Sequence, residues 1–377
     1  MSATEAAAAP VVSAKLRSLA AAGQWRLTWR RFRRHRLAVA CGVLVLLFYM
    51  VVLFAEFFAT TDPNRPSASF SLMPPQPVHL FDNGAFRPFV YKLERKRDAN
   101  FQLVYTPNPA VKVPVVLFAH GYSYNLLGLM PADRHLIGVA GADAGQTLFL
   151  LGTDVQGRDL WSRIMYATRV SLTVGLVGVT MSLVLGVLLG GISGLYGGVI
   201  DEAIQRVIEV LRSVPTIPLW MGLAAAVPRT WSVTQVYFAI TIIISLVSWT
   251  ELARVVRGRF LALREEDFIT AAELDGCGRL RIIFRHMVPS FLSHIIAVTT
   301  LTLPAMVLSE TALSFLGLGL RPPAISWGVL LQAAQNVEAV AVTPWLLLPA
   351  VPVIVAVLSF NFLGDGLRDA ADPYGRA

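Results

Sequence analysis

Cysteine is nearly absent. Cys41 lies in an apolar run and Cys277 in a polar stretch of this 377-residue chain. Two isolated cysteines make neither a disulfide framework nor a zinc set, and both are read as free thiols without a functional role. Charge is also scarce, at 15% of residues against about 25% in an average soluble domain. Apolar residues reach 55%, above the usual share of about 45–50%. These proportions exclude an ordinary soluble globule. No Gly-x-x-x-x-Gly-Lys-Ser/Thr phosphate loop occurs, which excludes nucleotide binding through that motif. No cluster of His, Cys and carboxylates suggests a metal. Gly121-Tyr122-Ser123-Tyr124, after His120, begins like a hydrolase nucleophile elbow, but Asn125 stands where the elbow needs glycine. No cleavable signal peptide is evident, because the first apolar run begins after residue 36 and lacks a small-residue cleavage site.

Acidic residues are the scarcer sign, 24 against 32 Lys and Arg. A basic balance can mean nucleic acid when it forms one face of a soluble domain. Here the arginines flank apolar runs, the pattern that orients membrane helices, so nucleic acid is not expected as a partner.

A spanning helix needs about 20 mostly apolar residues. Leu37 to Phe58, Val170 to Ile200, Thr230 to Thr250, Met287 to Ser309 and Ala339 to Leu363 meet that length with almost no charge. A weaker stretch from Val207 to Val227 is interrupted by Pro215 and Pro218, which a helix bundle can tolerate. The expected fold class is therefore an all-α polytopic membrane protein with six transmembrane helices. Residues 1–36 carry Lys15, Arg17, Arg26, Arg30, Arg31, Arg33, Arg34 and Arg36. The loop around 251–286 carries Arg254, Arg257, Arg259, Arg264, Arg279, Arg281 and Arg285, whereas the short loops opposite carry only Arg229 and Arg321. The positive-inside rule places both termini and the basic loop in the cytoplasm.

The expected organisation is a cytoplasmic segment 1–36, a first helix 37–58, an extracytoplasmic loop 59–165, a membrane domain 166–363 containing the loop 251–289, and a cytoplasmic tail 364–377. Met1 to Ala14 is Ala-rich and expected to be disordered. Thr61 to Gln76 reads as linker. Phe89–Glu94, Phe101–Tyr105 and Val111–Phe118 alternate like short strands separated by Pro, Asn and Asp, which predicts a small β-rich insert outside the membrane.

The basic loop contains the most specific pattern. Leu263-Arg-Glu-Glu-Asp-Phe-Ile-Thr-Ala-Ala-Glu-Leu-Asp-Gly276 reads as a short polar helix bearing Ala271 and Ala272 and closed by Gly276. A basic amphipathic stretch then runs to Pro289. Such an element can seat a small-residue face in a groove of a cytoplasmic partner, or it can be a solvated connector.

This segment resembles the coupling loop of ATP-binding-cassette importer permeases, whose pattern is Glu-Ala-Ala, three residues, Gly, nine residues, Ile, any residue, Leu-Pro. Ala271, Ala272, Gly276 and Pro289 fall at the matching spacings, while Thr270 replaces the motif's Glu and Asp275 stands where Leu is common. Leu151-Gly-Thr-Asp-Val-Gln-Gly-Arg-Asp-Leu160, Val255-Val-Arg-Gly258, Ser309-Glu-Thr-Ala-Leu-Ser-Phe-Leu-Gly-Leu-Gly319 with Ser326-Trp-Gly328, and Phe360-Asn-Phe-Leu-Gly-Asp-Gly-Leu-Arg-Asp369 with Asp372-Pro373 resemble the C-type permease of dipeptide and oligopeptide importers. The resemblance covers about 151–373 and the first helix. It implies the type I (MetI-like) permease fold in the inner membrane. It also implies a second homologous permease, two ATPase subunits that hold ATP and Mg²⁺, and an extracytoplasmic solute-binding protein. This chain would bind no cofactor and catalyse nothing. Coupling to the ATPases falls on Glu266, Asp267, Ala271, Ala272, Glu273, Asp275, Gly276, Arg281 and Pro289. Pro215, Pro218, Glu310 and Ser314 are the candidates for the translocation pathway or outer gate.

Two readings of Glu310 stand: a carboxylate on the solute path, or one satisfied internally that orders the outer loop. Gly186, Gly190, Gly194 and Gly198, each four apart, allow close helix approach, within the subunit or at a subunit interface. Arg206 and Glu209 are placed at the inner membrane edge, with Arg212 paired or snorkelling nearby. An ion-driven secondary transporter is the rival function, but inverted repeats are not apparent. Dipeptides, longer peptides, nickel chelates and glycosides all remain open as solutes.

Overall fold

The computed structural model describes residues 24–97, 103–140, 148–336 and 341–371. The segment before Gln24, Phe101, the start of the last apolar run at Ala339 and Asp372-Pro373 lie outside them. The described chain is mostly helical with one small sheet. Helix α1 (Gln24–Arg34) leads into α2 (Arg36–Leu53), where the side chain of His35 accepts from the Ala38 N–H at 3.1 Å. Ala38, Cys41, Val45 and Val52 mark the inward side of α2, while Leu46, Leu47 and Met50 are exposed. That division suits a helix with lipid on one side.

Helix α3 (Leu160–Tyr196) begins a full turn or more before the uncharged run suggested. Arg163 and Arg169 made that part look polar, but both are paired. Arg169 holds Glu56 just beyond α2, and its Nε donates to Val52 O at 2.7 Å. Arg163 lies 3.6 Å from the Asp154 carboxylate. Asp159 caps the helix by accepting from the Ser162 N–H at 2.9 Å, one of the four orphan donors of a helix start.

The weak third stretch is two helices, α4 (Gly198–Ser213) and α5 (Thr216–Ala225), bent by 88°. Pro215 has no N–H and excludes the helical conformation for Val214, which adopts ψ 131°. Helix α6 (Val233–Leu263) opens on a capping box between Ser232 and Gln235. Helix α7 (Asp267–Leu274) follows, then α8 (Leu292–Phe315), α9 (Trp327–Gln332) and α10 (Ala350–Ala371). Helix α8 extends past Ser309, where the expected span stopped, since the Glu310 carboxylate finds hydrogen-bond partners inside the bundle in Ser314 and Ser171. Helix α10 continues through Asp365, Arg368 and Asp369, so the first part of the expected tail is helical. Among the described residues, five helices are long and apolar enough to cross a membrane, and the bent pair would make a sixth.

The core of the bundle is the packing of α3 on α6, with α8 and α10 completing it. A Cβ placed on Gly194 would stand 2.6 Å from Phe260 Cβ and 2.9 Å from Arg257 O. Gly186 and Gly190 meet α6 in the same way. Gly198 lies beyond α3, at the first residue of α4.

The insert is a four-stranded antiparallel sheet in sequence order: β1 (His79–Asp82), β2 (Ala85–Arg97), β3 (Leu103–Leu126) and β4 (Met130–Val139). The strands are longer than the sequence suggested, and β3 runs through Pro107, Pro109 and Pro114. It pairs with β2 up to Pro114 and with β4 from Val115 onward. Pro109 falls in a bulge opposite Tyr91 and Lys92, and Pro114 sits where the strand changes partners. Both are places a ladder can spare an N–H. Thr61 to Gln76 is not a loose linker. Ser67 N donates to Gln156 O at 2.9 Å, Leu72 N to Asp154 O at 3.0 Å and Gln76 N to Phe149 O at 3.0 Å.

Candidate functional site

The segment 264–291 forms a compact bracket against the ends of α3 and α6. Glu266 takes extended backbone geometry and its carbonyl accepts from Ile269 N and Thr270 N at 3.0 and 3.2 Å. The other end closes as a Schellman motif. Gly276 has φ +73°, its N–H donates to Glu273 O at 3.0 Å, and Cys277 N donates to Ala272 O at 3.0 Å. That left-handed position is where glycine avoids a Cβ penalty.

The two alanines of α7 have opposite roles. Ile269 and Ala272 are buried among Leu195 of α3, Val256 and Phe260 of α6, and Ile282, Ile283 and Met287. Ala271 faces out, with Phe268 and Leu274, the latter 85% exposed. The exposed side of α7 therefore consists of Ala271 with these larger neighbours, and Ala272 anchors the helix instead. Glu265, Glu266, Asp267, Glu273 and Asp275 are exposed around that patch, and Arg281 and Pro289 are exposed beyond it. Residues 282–287 wind as a π-helix, a form common at functional positions. Arg279 stacks its guanidinium 4.9 Å from the Tyr196 ring centre, tying the bracket to α3. Asp201 joins α4 to the same region through a paired contact with Arg257, with two 2.5 Å bonds.

Pro215 and Pro218 are exposed at the α4–α5 break. Beside that break, Arg206 Nη1 lies 3.0 Å from Glu209 Oε2, and Arg212 pairs with Glu251 of α6. A hollow of about 310 Å³ is lined by Gln205, Ile208, Glu209, Arg212, Ser213 and Arg254. These polar groups lie on α4 and α6 beside the α4–α5 break, and Arg212 is paired as expected. Sequence reasoning missed Glu251 and Arg254 as part of this cluster. Glu251 is 39 positions from Arg212, so no short-range spacing links them.

Glu310 and Ser314 lie elsewhere and are fully buried. Ser314 Oγ donates to Glu310 Oε1 at 2.8 Å, and Ser171 Oγ of α3 donates to Oε2 at 3.0 Å. Ser326, the cap of α9, also bonds the carboxylate. The same hydroxyls accept from Trp327 N at 3.1 Å and Leu320 N at 2.9 Å. The carboxylate thus ties α3, α8 and the start of α9 together. Nearer the end of the bundle, a hollow of about 380 Å³ lies between the α5–α6 connection and residues 318–324, with Arg229 and Arg321 in its wall.

The motif Gly121-Tyr122-Ser123 lies within β3 and not between a strand and a helix, and His120 pairs with Asp133 at 2.8 Å.

Residues 186–374 match the family described as binding-protein-dependent transport system inner membrane component. Residues 23–75 match the N-terminal transmembrane domain of oligopeptide transport permease C. The chain is 38% identical over 245 residues to the oligopeptide transport system permease protein OppC of Haemophilus influenzae, covering 65% of this chain and 76% of that one. It is 41% identical over 226 residues to OppC of Escherichia coli, covering 60% and 72%. Among solved structures, a chain of the inward-facing MetNI methionine ABC transporter aligns at 19% identity with a TM-score of 0.41, over 54% of this chain and 93% of that one.

Proposed function

The chain belongs to the binding-protein-dependent transport system inner membrane components, the permease subunits of ATP-binding-cassette importers, and from that membership we propose that it imports oligopeptides together with a second, homologous permease. Two separate ATPase subunits supply the energy, since this sequence carries no phosphate loop. An extracytoplasmic binding protein delivers the solute. In this reading the chain has six spans in the type I permease arrangement, the bent pair α4–α5 serving as the third. Both termini and α7 face the cytoplasm, and the β insert lies opposite.

One observation carries the coupling role. Helix α7 is fixed by Ile269 and Ala272 to α3 and α6, yet presents Phe268, Ala271 and Leu274 to solvent. A helix rooted in the bundle and apolar on its outer side suits a partner's groove. ATP-driven closure of the ATPases would push α7, and the push would pass to the α3–α6 pair through that shared core. The acidic groups Glu266, Asp267, Glu273 and Asp275, with Arg281, would set orientation more than affinity. Gly276 closes α7 in the middle of the bracket and Pro289 lies near its end. The charged cluster at Arg212 and Glu251 supplies a polar wall for a zwitterionic solute beside the break at Pro215 and Pro218.

The test is reconstitution of the complete transporter in proteoliposomes. Uptake of labelled oligopeptides should require ATP, the ATPases and the binding protein. Uptake by this subunit alone along an ion gradient would overturn the reading.

A further inference from the structure

The β3–β4 hairpin has an apolar tip that the transport reading does not use. Leu126, Leu127, Gly128, Leu129 and Met130 form it. Leu127 is 51%, Leu129 83% and Met130 58% exposed. No charge lies between His120 and Asp133, so the hairpin is charged at its root and apolar at its end.

The root is fixed at the level where the spans emerge. His135 is buried, and its Nδ1 lies 2.9 Å from Glu56 O, just past the end of α2. The Phe57 and Phe118 rings are 6.1 Å apart. Tyr122 Oη lies 3.1 Å from Tyr166 Oη.

These contacts give the hairpin a direction. Val115 and Val139, at the end of the β3–β4 pair away from the tip, pack with Leu148, in the loop before the α3 cap at Asp159. Nearer the tip, His135 bonds Glu56 O, and Glu56 pairs with Arg169, while Tyr122 bonds Tyr166. Tyr166 and Arg169 are roughly 10 and 15 Å down α3 from its cap at about 1.5 Å per residue. Passing from Val139 to His135 and Tyr122 therefore moves along α3 into the bundle's depth, and the tip lies beyond them. Phe57, Phe58, Tyr122, Tyr124, Trp161 and Tyr166 gather at this level, the composition of a membrane–water boundary. The tip's turn is internally bonded, with Gly128 N to Asn125 O at 3.1 Å and Leu129 N to Leu126 O at 3.0 Å. Paired backbone lowers the penalty of leaving water.

We propose that the β3–β4 hairpin is an interfacial membrane anchor whose tip, Leu126 to Met130, is seated in the lipid leaflet on the insert's side of the membrane. The lipid takes up exposed leucine and methionine side chains by the burial that holds monotopic segments at interfaces. The charged root stays in the headgroup region and water.

The test uses the assembled transporter in nanodiscs of phosphatidylcholine and phosphatidylglycerol, with Cys41 and Cys277 replaced by alanine. An environment-sensitive fluorophore is attached at Leu129→Cys or, as control, at Phe86→Cys on the β1–β2 hairpin. Phe86 is also exposed, at 68%. The Leu129→Cys probe should show blue-shifted emission and lose fluorescence to phospholipid spin-labelled on its acyl chain. The control should show neither effect and should be quenched by aqueous iodide. Water-like emission and iodide quenching at both sites would overturn the proposal. So would a blue shift at Leu129→Cys that spin-labelled lipid leaves unquenched, since the tip would then be covered by protein. Neither result depends on which solute is carried, so the transport reading stands or falls separately.

Discussion

Ser171 of α3 donates a 3.0 Å hydrogen bond to Glu310 of α8, joining two membrane helices through a carboxylate with no exposed surface. Ser314 and Ser326 complete its coordination. A group so enclosed joins α3, α8 and the loop before α9, and we propose that it serves as a latch between them. Glu310→Ala would strand buried serine hydroxyls, at a cost of about 1–3 kcal/mol. The thermal midpoint of the purified complex should fall, and uptake should fall with the folded fraction. Glu310→Gln keeps an acceptor oxygen and should cost less. An unchanged midpoint with abolished uptake would place Glu310 on the pathway instead.

The opposed alanines of α7 allow docking to be separated from folding. Leu274→Asp alters a side chain that is 85% exposed. It should leave assembly of the membrane subunits and thermal stability unchanged while uptake and solute-stimulated ATP hydrolysis are lost. Ala272→Asp puts an unpaired charge among Ile269, Phe260 and Ile283, where burial without a partner costs several kcal/mol. It should lower the midpoint as well. Equal stability loss in both variants would mean that α7 has no free outer face.

The spans were legible because length and hydropathy are local properties. Their ends were less so, since partners that satisfy Arg169 and Glu310 come from distant segments: the Glu56 carboxylate for the arginine, the Ser171 hydroxyl for the carboxylate. The break at Pro215 was visible as a residue type, but not as an 88° turn. Ala271 and Ala272 matched a motif, yet the motif could not say which faced the core, since both are small and adjacent. In the insert, the prolines of β3 argued for short strands. A strand that trades one neighbour for another at Pro114 needs long-range pairing to be seen.

Arg212 and Glu251 offer a test of the polar wall. Both side chains are substantially exposed, so their pairing contributes about 0–1 kcal/mol to stability. Arg212→Glu should therefore change the midpoint little. It should reduce peptide uptake by placing two carboxylates side by side at the wall. The double variant Arg212→Glu with Glu251→Arg should recover part of that uptake, measured as initial rates in proteoliposomes. Full activity of the single variant would remove this cluster from the pathway.

Glycines in α3 and α6 should respond in opposite directions to the same substitution. Alanine in a helix interior is favoured over glycine by about 1 kcal/mol where there is room. Gly258 of α6 has nothing within 4 Å of an added Cβ, so Gly258→Ala should raise the thermal midpoint slightly. At Gly190 the added carbon meets the Ala253 backbone, with Cα at 2.9 Å. Backbone cannot rotate aside, so the helices must separate, and overpacking of this kind costs about 1–3 kcal/mol. At Gly186 the obstruction is the Leu252 side chain, whose Cβ and Cγ both lie at 2.9 Å. Rotation can move Cγ but not Cβ, so relief is only partial. The closest contact, 2.9 Å, is nonetheless longer than that to Ala253 O at Gly190, so Gly186→Ala should be milder than Gly190→Ala. The expected order of midpoints is Gly258→Ala, then the unaltered protein, then Gly186→Ala, then Gly190→Ala. Because α7 is rooted in the same α3–α6 pair, Gly190→Ala should also weaken the dependence of ATP hydrolysis on solute. A Gly190→Ala complex as stable and as tightly coupled as the unaltered one would show that this helix pair does not transmit the stroke.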